Sequence, residues 1–335
     1  MLRNMKKLKL LLNLDLEKVR KEIDGYKRTC ETIVAFRNII EFNLKGTCEQ
    51  FRKLKTSTNN EISKNVEITP DLIVEVKSKD YSALNEIKID LPKQKTEDGK
   101  DQWLDVAIQL KKYDDDLSGW KFNPRKQHDI MITTHDLRTF DFNNYMKDLA
   151  KNNTLKISRK LAILHSIRTF ETHTFIVIKK DYGDISDTNL EKILASGRGV
   201  AEYNILNELN QVKFYDANPP IPYTMAIIWD HILKTYLTEE QFRLLQIANA
   251  VISVTVKAVD VRDKLCRYTL EPNVNHIKQS WVDDALAGFT EIGFGKTNGG
   301  GVFEIKFKKH TGDILEVFFG EIAAGRDAKQ AKLIK

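Results

Sequence analysis

The sequence predicts an α/β protein, a mixed sheet flanked by helices, followed by a second domain of helices and a hairpin. Three observations carry that expectation. Residues 31–183 alternate helix-like and strand-like patterns in the order α-β-β-α-β-α-β, which suits a sheet buried between helical layers. The segment YDANPPIPYT then breaks the pattern, and its prolines favour an extended connector. Finally, 335 residues with 41% hydrophobic and 30% charged side chains can furnish two cores and exclude a disordered chain.

The start, MLRNMKKLKLLLNLDLEKVRK, reads as the first turns of a helix. Its leucine cluster is short, acids follow at once, and no small-residue cleavage site marks a signal peptide. Over residues 32–54, Ile33, Phe36, Ile40, Leu44, Cys48 and Phe51 share one helical face. A polar stretch leads to PDLIVEVKSKDYSALNEIKIDLP (70–92), two strand-like runs with a turn at SKDYS. LPKQKTEDGK is a loop, DQWLDVAIQLKKYDDDL a helix, HDIMITTHD a strand, SRKLAILHSIRTFE the site of a further helix and HTFIVIKKDYG a strand. A helical stretch follows around Asn189–Asn210, with the glycines of GRG (197–199) as a stop signal.

Beyond the connector, Met225, Ile228, Trp229, Ile232 and Tyr236 mark an amphipathic helix, and two more helical stretches lie around Ala258–Tyr268 and Asn275–Phe289. EIGFGKTNGGGVFEIKFKK is a hairpin with a glycine-rich tip. Three helices and a hairpin look like a winged helix. The domains expected are therefore a basic helix over 1–30, an α/β domain over 31–215 and a winged-helix-like domain over 216–335.

Several functional classes drop out. No apolar run is long enough to span a bilayer. Cys30, Cys48 and Cys266 lie far apart without a CxxC pair, which fits a reducing cytoplasm and argues against structural zinc. The seven histidines show no metal-ligand spacing, so any metal would be held by oxygen. GFGKT (293–297) lacks the leading glycine of a phosphate-binding loop, Thr290 standing in its place, and a strand rather than a helix follows. The net charge of +6 is uneven. Residues 1–30 carry nine Lys/Arg against four Asp/Glu, while from Asp216 onward fifteen face fifteen. That permits nucleic-acid binding without requiring it.

The hairpin carries the chemistry. Asp71 opens its first run; Glu86 and Lys88, two apart in the second, project from one face. Two carboxylates converging with a backbone carbonyl suit Mg²⁺, and a neighbouring lysine can orient water and offset charge developing at phosphorus. Glu75-Val76-Lys77 and Glu304-Ile305-Lys306 repeat the triplet but read as alternating charges on exposed strands.

Pro70-Asp71 followed by Glu86-Ile87-Lys88 resembles the PD-(D/E)XK nuclease superfamily, and the resemblance covers roughly residues 30–180. The next helix carries Gln109 and Tyr113 one turn apart, similar to the Gln-x-x-x-Tyr element of many members. The resemblance implies a restriction-endonuclease-like core cutting DNA with Mg²⁺, or Mn²⁺ in its place. It assigns Asp71, Glu86 and Lys88 to catalysis. Metal binding falls to Asp71 and Glu86, with Glu41 as the upstream helical acid. Gln109 and Tyr113 contact the DNA strand, and a homodimer is the common state among relatives. Restriction or mobile-element defence is the expected setting, with DNA repair behind it. In the winged-helix-like domain Asn275, Lys278, Gln279 and Ser280 would enter a groove while Lys296, Thr297 and Asn298 reach phosphate. His128 reads as a hydrogen-bonded strand-end residue. The competing reading is a nuclease fold without turnover that binds DNA or serves assembly. A winged-helix regulator with an N-terminal sensor domain would need a ligand pocket that the sequence does not identify.

Overall fold

In the computed structural model the described residues are 16–50, 52–56, 67–88, 90–96, 98–122, 127–135, 137–170, 174–205, 219–247, 250–266, 277–291 and 293–308. The chain divides into two compact units, one of residues 28–210 and 215–217, the other of 1–27, 211–214 and 218–335.

The α/β expectation holds. In chain order the first unit contains α1 (Leu16–Leu44, from residue 28), β1 (Thr47–Glu49), β2 (Leu54–Thr56), β3 (Glu67–Ile68), β4 (Leu72–Val76), β5 (Tyr81–Lys88), α2 (Gln102–Lys112), β6 (Leu117–Ser118), β7 (Asp129–Thr134), α3 (Thr139–Lys151), β8 (Leu161–Phe170), β9 (Thr174–Gly183), α4 (Thr188–Ser196) and β10 (Arg198–Ala201). Seven strands form a mixed, curled sheet in the order β1-β4-β5-β7-β8-β9-β10. The pairs β5–β7 and β7–β8 are parallel, and the others are antiparallel. Parallel neighbours need crossovers, and α2 and α3 supply them. A second small sheet runs β3-β2-β6.

Both faces of the central strands are covered. Ile73, Leu84, Ile130, Ile132 and Ile163 pack with Trp103, Val106 and Leu110 of α2 and Phe142 and Met146 of α3. Ser166 lies three residues from Ile163 and so on the opposite face; there its hydroxyl meets Thr32 of α1 at 3.2 Å. This double burial explains why β4 and β5 lack the polar–apolar alternation of a half-exposed hairpin.

Three local expectations need correction. Within SRKLAILHSIRTFE, Leu161–Phe170 form strand β8, and the crossover helix lies earlier, over Thr139–Lys151. A short apolar run fits a buried strand and a buried helix equally well by periodicity, and here the sheet claims it. Residues 16–44 are one helix, ending where Lys45 takes φ 53°. The expected helical face therefore does not reach Cys48, which lies in β1, and the intervening Gly46 sits where a Cβ would come within 2.8 Å of Val76. Phe51 lies outside the described residues. The helix after residue 188 ends at Ser196; Gly197 caps it at φ 78°, as the stop signal predicts, and β10 follows.

The second unit contains α5 (Ile221–Tyr236), α6 (Glu239–Ile247), β11 (Val251–Lys257), α7 (Ala258–Cys266), α8 (Gln279–Glu291), β12 (Gly295–Gly299) and β13 (Val302–Lys308). The strands form an antiparallel sheet, β11-β13-β12. Trp229 of α5 packs its ring against Phe289, Phe294 and Phe307. The prolines do not extend the connector as far as expected. Pro220 caps α5 and Pro222 lies in its first turn, where no backbone N–H is missed. Among the described residues no helix is long and apolar enough to cross a membrane.

Candidate active site at the β4–β5 hairpin

The hairpin forms as the sequence implies. β4 and β5 pair antiparallel from Leu72↔Asn85 to Val76↔Tyr81, joined by a 3₁₀ turn over Lys77–Lys79 and by Asp80 at φ 51°. Asp71 lies immediately before β4, and its Oδ2 accepts the Ile87 backbone N–H at 2.7 Å. The carboxylate is thereby fixed beside the strand segment that carries Glu86 and Lys88.

Glu86 is 3% exposed and lies on the α2 face of the sheet. Three side chains hold it. Lys88 Nζ and Gln109 Nε2 both donate to Oε1 at 2.6 Å, and Tyr113 OH donates to Oε2 at 2.5 Å. Gln109 reaches it from the last turns of α2, and Tyr113 is the residue that caps the same helix. Burial, and next the Glu86 carboxylate, push the Tyr113 phenol well above its ordinary pKa, so it stays a donor. The ring is itself buried. Where the resemblance gave Gln109 and Tyr113 to the DNA strand, their observed partner is Glu86.

Tyr113 is in turn braced by His128. The imidazole Nε2–H donates to the Tyr113 carbonyl oxygen over 2.7 Å, and Trp120 covers the ring with centroids 5.1 Å apart. Burial first, and then the nearby Arg159, lower the His128 pKa to about 4, so the ring is neutral near pH 7. Its reading as a hydrogen-bonded strand-end residue stands.

Glu41 is not gathered into this cluster. It lies on the exposed side of α1, the helix that covers the other face of the sheet, and pairs with Arg37 Nε at 2.7 Å. Among the described residues no group of three or more His, Cys, Asp or Glu is placed to hold a metal ion. The pair Asp71 and Glu86 remains. Mg²⁺ is ordinarily bound through one or two carboxylates with several waters retained, so the donor chemistry of that pair fits it. Glu86 already receives three hydrogen bonds, and two carboxylate oxygens offer about four acceptor positions.

Of the two competing triplets, one departs from expectation. Glu75 is not on an exposed strand; it is 1% exposed, paired with Arg52, and accepts the backbone N–H groups of Lys121 and Phe122 at 2.9 Å each. No periodicity in β4 reveals this, because its partners arrive from far along the chain. Glu304 does fit the solvated reading, pairing across the strands with Lys296 at 2.9 Å.

In the second unit the residues assigned to DNA are engaged internally. Lys278 Nζ stands 5.3 Å from the Trp281 ring centroid, Gln279 Nε2 donates to Asp283 at 3.0 Å, and Lys296 pairs with Glu304. Ser280 is exposed at the start of α8, and Asn275 lies outside the described residues. Comparison with family models, with curated proteins and with solved structures finds no match to this chain.

Proposed function

We propose that this chain is a Mg²⁺-dependent endonuclease hydrolysing DNA phosphodiester bonds, with a restriction-endonuclease-like core, in restriction, defence or mobile-element DNA processing. One observation carries the reading. Asp71, Glu86 and Lys88 converge on one hairpin, with Glu86 oriented by the Gln109 and Tyr113 pair that the PD-(D/E)XK resemblance selects.

When bound, Mg²⁺ would act as a Lewis acid on phosphoryl oxygen, and Asp71 and Glu86 are the residues that would hold it. The chain's own side chains do the rest. Lys88, 30% exposed at its side chain and bonded to Glu86 Oε1, would orient a water for in-line attack. Its ammonium also offsets the charge that builds as the water oxygen bonds to phosphorus and the bond to the leaving oxygen breaks. Gln109 and Tyr113 keep the Glu86 carboxylate at a fixed angle, and Asp71 is fixed by the Ile87 amide.

The second unit follows the order helix, helix, strand, helix, helix, strand, strand, which supports a winged-helix-like assignment. Lys278, Gln279 and Lys296 would then meet DNA by exchanging the internal partners described above.

A second reading, a nuclease-like fold that binds or assembles without turnover, is favoured by the engagement of Glu86 with three protein donors and by the distant placement of Glu41. Cleavage of plasmid and oligonucleotide DNA with Mg²⁺, Mn²⁺ or EDTA separates the two. Metal-dependent cutting by the wild type, lost in Glu86→Ala and Lys88→Ala, supports the nuclease. Binding without cutting in all three proteins gives the second reading, and cutting that ignores both substitutions puts the site elsewhere.

A further inference from the structure

Two large apolar side chains stand in solvent at the end of the sheet that carries Lys88. Leu137 is 83% exposed and Phe140 57% exposed. Leu137 lies in the turn just before α3, on the far side of its N-cap Arg138, and Phe140 lies in the first turn of the helix. β7 ends at Thr134, in register with Lys88, so the junction that bears them follows directly from the strand beside the site.

That junction is held in place. Arg138, between the two, donates to the carbonyl oxygens of Leu91 and Pro92, the latter at 3.4 Å; these residues follow Lys88 by three and four positions. Tyr182 supports the Phe140 ring from behind, with centroids 6.1 Å apart and planes at 54°. A single exposed apolar residue is unremarkable. An exposed aromatic ring backed by a second one, on a junction tethered through Arg138 to the segment that follows Lys88, is a surface on which a planar aromatic ligand stacks.

We propose that Phe140, with Leu137 beside it, is a stacking platform for an unpaired nucleobase, so that the strand entering the Lys88 site is single-stranded, splayed or distorted near the cut. This rests on the nuclease reading and names its substrate class. Paired bases in a duplex do not offer a free face, whereas single strands are bound by stacking on exposed aromatics, and apolar wedges open base steps.

The test uses the full chain in EDTA with 2-aminopurine oligonucleotides, single-stranded and duplex, for the wild type, Leu137→Ala, Phe140→Ala and Phe140→Trp. Base stacking predicts quenched fluorescence on the single strand and a loss of roughly 5- to 150-fold in single-strand affinity for Phe140→Ala. Leu137→Ala should lose less, Phe140→Trp should restore binding, and duplex affinity should not move. Unchanged melting temperatures would show that the exposed substitutions leave the fold intact. Equal single-strand binding and quenching in all four proteins overturns the platform, and a wild type that still cuts duplex DNA with Mg²⁺ leaves the nuclease standing. A wild type that neither binds nor cuts any nucleic acid overturns both. Self-association in sedimentation that is lost in Leu137→Ala and Phe140→Ala, with oligonucleotide binding unaltered, would give the surface to a second copy of the chain and overturn the platform too.

Discussion

Glu75 and Glu86 are buried carboxylates on one face of adjacent strands, each opening a Glu-x-Lys triplet, yet they are held in opposite ways. Glu75 accepts two backbone amides and an arginine, Arg52, so its partners are fixed by the chain path. Glu86 accepts only side chains among the hydrogen bonds described, and one of them, Lys88, is partly exposed and able to swing away. A carboxylate tied to backbone anchors a loop, while one tied in part to a partly exposed side chain can exchange that donor for a ligand. Burial and sequence pattern do not separate the two; the kind of partner does.

The largest effect that would break this contrast concerns turnover. Glu86→Ala is expected to reduce metal-dependent DNA cleavage to background, and Lys88→Ala to lower the rate by about 10²–10³-fold. Glu75→Ala, measured with its fold stabilised by osmolyte, should retain cleavage; if it is as inactive as Glu86→Ala, the assignment of Glu75 to anchoring is wrong.

Stability should show the reverse. Removing Glu75 leaves the Lys121 and Phe122 amides without their acceptor and Arg52 with Glu49 at 3.3 Å, and breaking a buried pair in this way costs about 3–5 kcal/mol, to be read from urea unfolding. Glu86→Ala should cost about 1–3 kcal/mol, because Lys88 can turn to water while Tyr113 and Gln109 lose an acceptor. Equal losses in the two variants would erase the distinction.

The brace behind Tyr113 gives a pH signature. His128 has a folded pKa of about 4 against 6.5 when unconstrained, so folding favours the neutral ring. The stability it contributes is complete above pH 6.5 and is lost as pH falls toward 4, because the unfolded chain takes up a proton that the folded chain refuses; the total is about 3 kcal/mol. His135 and His231 are lowered to about 4 as well, each chiefly by burial, and act in the same sense. The quantity to measure is therefore the difference in acid sensitivity between wild type and His128→Asn, which should be less steep in the variant. An identical pH slope would show that His128 is not held neutral.

Tyr113→Phe sharpens the comparison further. It removes a hydrogen bond to a charged acceptor and should cost about 1.5–3 kcal/mol in urea unfolding. It should also weaken Mg²⁺ binding in titration calorimetry, an effect that a purely structural tyrosine would not produce. The smallest effect belongs to the second unit. Lys296→Ala should leave the melting temperature unchanged and lower the slope of log affinity against log salt by about one if that residue meets phosphate. An unchanged slope would leave Lys296 as nothing more than the partner of Glu304.

Much of this was legible in the sequence. The Asp71, Glu86 and Lys88 set could be read because its members are local to one hairpin, and Gln109 with Tyr113 because helical spacing fixes their common side. Glu75 was misread as exposed, since its anchors at residues 121 and 122 lie more than forty positions away. Glu41 shows the limit of a helical wheel, which gives the side of α1 that is buried but not the face of the sheet on which α1 lies. β8 was misread because a strand covered on both faces loses its alternation. In contrast, VISVTVK in β11 keeps a clear alternation, with every second residue buried, and it was overlooked because it runs straight into α7.

The outer strands of the large sheet bear on solubility. β1 has three residues and β10 has four, against eight to ten in β5, β8 and β9. A free strand edge offers a template on which another chain can add, and short edges are one way natural sheets prevent it. β10 also carries an exposed arginine and a glycine, Arg198 and Gly199, which suit a strand poorly. Replacing Gly199 with valine and extending β10 by further apolar residues would therefore be expected to raise the tendency of copies of the chain to add edge to edge.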